Sequence, residues 1–141
     1  MRRGKPRRTG PDRAVVELVR ARAGERCERC AWMLHGNGQI HHRVPRGMGG
    51  SKAAWINRPP NLVLLCLQCH SWAESYRESA MDAGWLVLRR HNPAATPVHS
   101  VLHGVVLLAD DGSVVPARDS VAPHISTLRA DLDHDAEEAT P

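Results

Sequence analysis

The chain has 141 residues, 42% of them hydrophobic but only 4% aromatic, with four Trp, one Tyr and no Phe. That length suits one domain with tails, and so little large apolar surface leaves a thin core that needs a staple. No apolar run follows Met1-Arg2-Arg3-Gly4-Lys5-Pro6 and no stretch approaches transmembrane length, so neither a secretory leader nor a membrane partner is expected, and a reducing, cytoplasmic setting is. The net charge of +4 is unevenly spread: residues 1–30 carry ten basic and four acidic side chains, residues 31–104 seven and three, and residues 105–141 two and eight. A basic front end suits a polyanion.

In chain order, residues 1–11 are rich in Arg, Gly and Pro and read as a basic disordered arm. Asp12 is a natural cap for a helix through Ala23, with Val15, Val16, Leu18, Val19 and Ala23 at helical spacing and Gly24 as its stop. Asn37-Gly38 marks a turn and residues 39–44 a short strand. Residues 45–51 form an irregular loop with Gly47, Gly49 and Gly50. Pro59-Pro60 argues against a helix through Asn61, and the apolar run 62–65 reads as a buried strand. A single helix is expected from Leu67 to Ala83, ended by Gly84, with Trp72, Tyr76 and Ala80 on its core side. Residues 104–108 and 113–115, joined by Asp111-Gly112, predict a hairpin, and the acidic residues 130–141 a disordered tail.

Cys27-Glu28-Arg29-Cys30 and Cys66-Leu67-Gln68-Cys69 use every cysteine of the chain. Two such turns close a tetrahedral shell around zinc, and a closed shell leaves no position for substrate, so this metal is structural. A redox dithiol and a disulfide pair are the competing readings. Closing the shell brings His70, next to Cys69, close to the segment carrying His41, His42 and Asn61. Neutral imidazoles suit both metal ligation and the activation of water. Arg43, Arg46 and Lys52 flank the loop and are candidates to hold phosphate.

The ordered series Cys-x-x-Cys, Ile-His-His-Arg-Val-Pro-Arg-Gly-Met-Gly-Gly and Asn-Leu-Val-Leu-Leu-Cys-Leu-Gln-Cys-His, over residues 27–72, resembles the HNH endonuclease family in its zinc-stapled form. The resemblance implies an α+β fold: a small ββα-metal core with the four-cysteine zinc site, here carrying an N-terminal helix and a C-terminal β-hairpin. On that basis the chain divides into an arm (1–11), an HNH domain (12–88), a hairpin extension (89–129) and a tail (130–141). The resemblance makes His42 the general base and Asn61 the residue that orients it, with His41 and His70 as ligands of one catalytic divalent ion. His41 stands where many family members have Asp, so Mg2+, Mn2+, Ni2+ and Zn2+ all remain candidates. The implied activity is hydrolysis of DNA phosphodiester bonds leaving 5′-phosphate and 3′-hydroxyl ends. A likeness to small bacteriophage HNH proteins extends this to DNA packaging, with terminase subunits as partners and the bacterial host cytoplasm as the setting. The alternative reading is a non-catalytic zinc module that binds DNA or protein.

Overall fold

A computed structural model describes Gly4 and residues 9–47 and 53–117. Most of the expected arm, most of the glycine loop with Lys52, and the acidic tail lie outside the described residues.

Helix α1, Arg13–Ala23, buries Val15, Val19 and Ala23 at four-residue spacing, which turns one stripe to the core. Asp12 occupies the cap position but its side chain makes no capping bond. Gly24 closes the helix at φ 59°, donating its N–H back to Arg20 and Ala21. The first cysteine turn follows. Strand β1, Gln39–His42, then pairs antiparallel with β2, Leu62–Leu65, placing His41 opposite Val63 and His42 opposite Leu62. All four β2 residues are buried. Strand β2 is therefore covered on both faces, as its continuous apolar run requires.

Between them, the chain makes 3-10 turns at Ala54–Asn57 and Pro59–Asn61. The expected single helix after β2 is instead two: α2, Leu67–Ser75, and α3, Arg77–Asp82. The break falls at Tyr76, at φ −110° and ψ 60°. The break shifts the helical phase, so Tyr76 is 62% exposed whereas Ala80 remains buried, which corrects the expectation that Tyr76 belongs to the core. Gly84 has φ +81° and lies against Pro97, where a Cβ would meet the carbonyl oxygen at 1.9 Å, so only glycine fits.

The predicted hairpin is present as β4, Gly104–Leu108, and β5, Val114–Pro116, and a third strand, β3, Val98–Ser100, pairs with the free side of β4. Val98, Val106 and Leu108 of this sheet share one apolar cluster with Val15 and Val19 of α1 and all of β2. The sheet thus completes the thin core of the cysteine-bearing half. Among the described residues no helix is long and apolar enough to cross a membrane.

Candidate metal centre and catalytic pocket

The first cysteine turn is shaped by its own backbone. Cys27 N–H donates to the Trp32 carbonyl, Ala31 N–H donates to the Cys27 carbonyl, and Ala31 adopts φ 64°. The second begins α2: Cys66 is its cap residue, its Sγ accepting from Cys69 N–H at 3.4 Å. A helix N-terminus favours a thiolate. One sulfur of each cysteine lies within 4.8 Å of the other three, and Cys30 and Cys66 sulfurs are 3.9 Å apart. Tetrahedral zinc at ~2.3 Å from each sulfur needs sulfurs spaced by about 3.8 Å, so the donor set fits the ion. The cysteines are free rather than disulfide-bonded. Burial pushes the Cys69 and Cys30 thiols up, and a coordinated cation would reverse that. Arg29 completes this wall, donating to Cys69 Sγ at 3.3 Å while its guanidinium stacks 3.5 Å from the Trp72 ring.

Glu28, inside the first turn, is 1% exposed and ties four elements together. It accepts a two-pronged bond from Arg22 of α1 at 2.6 and 2.9 Å and a bond from Leu64 N–H of β2 at 2.8 Å. His103 Nε2 lies 3.1 Å from it, and Ser100 Oγ donates to its carbonyl. Burial works to raise the Glu28 carboxyl, but His103 and Arg22 hold it below the usual carboxylate range.

A second set of donors lines a pocket of about 390 Å³: His41, His42, His70 and Glu74, with Arg46 and Arg77. A larger cleft, about 580 Å³, lies along residues 32–39 and 66–68 but carries none of these histidines. Among the described residues the four cysteines are the only set of three or more such donors drawn within 4.8 Å of each other, so the histidine pocket is the more open of the two.

Proton bookkeeping assigns each ring. His41 Nε2 is 3.0 Å from the Trp85 carbonyl, an acceptor only, so Nε2 carries the proton and Nδ1 keeps its lone pair. Burial pulls the His41 pKa down to about 4, with the charges of His70 and His42 adding, which keeps the ring neutral at pH 7 as a metal ligand must be. The His70 ring stands edge-on to it, with centroids 5.0 Å apart. His70 Nδ1 bonds to Gln39 Oε1, leaving Nε2 turned to Glu74 Oε1 at 3.3 Å. A lone pair and a carboxylate oxygen at that distance repel unless a proton or a cation lies between them.

For His42, the chain of assignment is longer. Asn57 donates its Nδ2 to the Thr9 carbonyl at 3.0 Å, which fixes the amide orientation. Its Oδ1 is then the atom 2.8 Å from His42 Nε2, so Nε2 donates and Nδ1 is free to accept a proton. Burial lowers the His42 pKa and Arg46 lowers it further, favouring the neutral ring. Strand β1 ends at His42, so the alternation of a strand no longer separates His42 from the pocket shared with His41.

Two further expected site residues, Asn61 and Arg43, go elsewhere. Asn61 is 1% exposed and touches backbone, not His42: its Oδ1 accepts from Val44 N–H at 2.7 Å, and its Nδ2 donates to the Ile56 and Val44 carbonyls. The side chain that bonds His42 is Asn57. Arg43 is a correction. It is fully buried rather than facing phosphate, with its N–H groups given to the carbonyls of Gly84, Pro60, Pro93 and Thr96 at 2.7–2.9 Å. Arg46 lines the pocket and donates to Thr9. Asn57 gave no motif signal in the sequence. Glu74, four residues after His70, was legible only as one helical turn of spacing.

Residues 27–75 match the family model described as HNH endonuclease. No curated protein and no solved structure matches the chain.

Proposed function

We propose that this chain, whose residues 27–75 match the HNH endonuclease family model, is a metal-dependent endonuclease that hydrolyses DNA phosphodiester bonds with His42 as general base. The observation that carries the reading is the Thr9–Asn57–His42 relay, because it leaves a neutral imidazole with one free lone pair in a pocket of metal-ligating groups. His41 Nδ1, His70 Nε2 and Glu74 are the atoms that would hold a divalent ion; when bound, it supplies Lewis-acid activation of the phosphate and stabilisation of the leaving oxygen. His42 Nδ1 removes a proton from water as the water oxygen attacks phosphorus, and the P–O3′ bond breaks opposite. Asn57 keeps the imidazolium oriented through Nε2–H. Arg46 and Arg77, in the same pocket, supply positive charge to the phosphate oxygens. Lys52 is proposed as a further phosphate contact.

The test is supercoiled plasmid incubated with wild type and His42→Ala in Mg2+, Mn2+, Ni2+ or Zn2+. Nicking or linearisation by wild type, reduced ~10²–10⁴-fold in the variant, is expected. DNA binding without cleavage in any of these ions would favour a non-catalytic zinc module. The narrower version, a phage nuclease working in DNA packaging, predicts that cleavage appears only when terminase subunits are added.

A further inference from the structure

Arg43 spends its side chain on the segment that follows the HNH match. Its backbone carbonyl accepts from Val87 N–H at 2.9 Å, and its guanidinium holds the Pro93 and Thr96 carbonyls. Residues 88–92 are therefore clamped at both ends by the neighbour of His42. Inside, His91 N–H closes a turn onto the Leu88 carbonyl, and Asn92 Oδ1 accepts from Ala94 N–H. This fixed turn presents Arg89, Arg90 and His91 to solvent.

These residues do not stand alone. With Asn92 and Pro93 they line an open cleft of about 390 Å³ whose other wall is Trp55. Trp55 is 39% exposed, and it sits in the same 3-10 turn as Asn57, the partner of the base. On the far side of Trp55, a neighbouring cleft holds Arg58, forked onto Asp110 at 2.6 and 2.9 Å. The cleft thus carries Arg89 and Arg90 on one side and is bounded beyond Trp55 by the Arg58–Asp110 pair on the other.

An aromatic face set into a groove edged by arginines has the chemistry of a seat for unpaired nucleotides: the ring stacks on a base of any identity, and the guanidiniums take the phosphates. We infer that Trp55, Arg89 and Arg90 hold a single-stranded stretch of the nucleic acid that flanks the cleaved bond. This rests on the nuclease reading and sharpens it: the favoured substrate has unpaired nucleotides beside the cut, as in a gap, flap or overhang.

Binding is best measured in the cleavage-silent His42→Ala background, with zinc content and circular dichroism checked for every variant. The probes are a fluorescein-labelled single strand of mixed sequence and the blunt duplex of the same sequence. Arg89→Gln with Arg90→Gln is expected to weaken the single strand about tenfold and to flatten its log Kd against log salt slope by about 1.4, the value for two lost phosphate contacts. Trp55→Leu is expected to weaken the single strand about fivefold or more and to remove the fluorescence quench that it causes, leaving Trp32, Trp72 and Trp85 unresponsive. Unchanged affinity and slope in the arginine variant, or a quench that survives Trp55→Leu, would overturn the seat. So would an arginine effect that vanishes when the tail is neutralised (Asp131→Asn, Asp133→Asn, Asp135→Asn, Glu137→Gln, Glu138→Gln), since the tail would then be the occupant. Plasmid cleavage by wild type with unchanged single-strand binding in the variants sinks the seat alone; single-strand binding through these residues with no cleavage sinks the nuclease reading and supports the seat.

Discussion

The two donor clusters of this small domain are built on opposite principles. The four sulfurs of Cys27, Cys30, Cys66 and Cys69 crowd together, with three of the residues buried. His41, His70 and Glu74 are spread around an open pocket; His41 gives one nitrogen to the Trp85 carbonyl, and His70 turns one to Gln39 and the other to Glu74. A closed shell spends every valence on holding the fold, whereas an open one keeps positions for a substrate. Yet the two share their scaffolding: Cys69 and His70 are consecutive on α2, and Gln39 and His41 lie on the strand paired to β2. One element positions both clusters, which lets a thin core support an open pocket. The comparison predicts that the clusters can be broken separately, in different observables.

The largest effect belongs to the closed cluster. Cys66→Ser, or removal of the metal by a strong chelator, should abolish the cooperative thermal transition, because metal binding at such a site is folding free energy of roughly 10 kcal/mol or more. A metal-free protein with an unchanged melting curve would remove the distinction. The open cluster should behave in reverse: His42→Ala loses ~10²–10⁴-fold in cleavage with its melting temperature preserved. If that variant unfolds instead, the pocket is part of the fold's support and the separation fails.

Arg43 tests where the boundary lies. It neighbours His42 in sequence, yet burial pulls its pKa down to about 9, leaving it charged at neutral pH with four backbone carbonyls as its partners. Arg43→Met strands those carbonyls, and a loss of about 3 kcal/mol or more is expected in denaturant unfolding. Loss of cleavage with full stability would return Arg43 to the chemistry.

These two arginine-rich and histidine-rich surroundings also show what a sequence can reveal. Both cysteine pairs, the 62–65 strand, the 104–108 hairpin and the adjacent histidines were legible because their signals are local: spacing, apolar runs and an Asp-Gly turn. Arg43 was not, because its acceptors lie 17 to 53 residues away and a charged residue beside a motif looks the same whether solvent or backbone surrounds it. Glu28 depends on Ser100 and His103, 72 and 75 residues on, and so reads as an arbitrary filler of a cysteine turn. Asn57 rather than Asn61 meets His42 because two prolines fold the chain into consecutive 3-10 turns, a geometry that residue type alone does not specify. Tyr76 fell on the expected helical stripe but lies at the break between α2 and α3.

Asn57 gives a smaller and more selective test of the open cluster. Asn57→Ala removes the acceptor that holds the His42 tautomer but leaves His41, His70 and Glu74 in place. Second-layer partners of this kind typically contribute about 10–100-fold, so cleavage should fall by that amount in kcat while the affinity for the divalent ion is unchanged. A loss appearing as weakened metal binding would mean that Asn57 acts on the pocket as a whole. The smallest effect should come from Asp110→Asn. It dissolves the Arg58 pair, but both partners are exposed and such a pair is screened by solvent, so no measurable change in melting temperature is expected. Its value lies in the cleft beside Trp55. Freeing Arg58 there adds positive charge to the bounded side, and single-strand affinity should rise modestly at low salt and return to the wild-type value at high salt. An unchanged affinity at low salt would mean that the strand does not pass Arg58 and leaves the cleft on the Arg89 side alone.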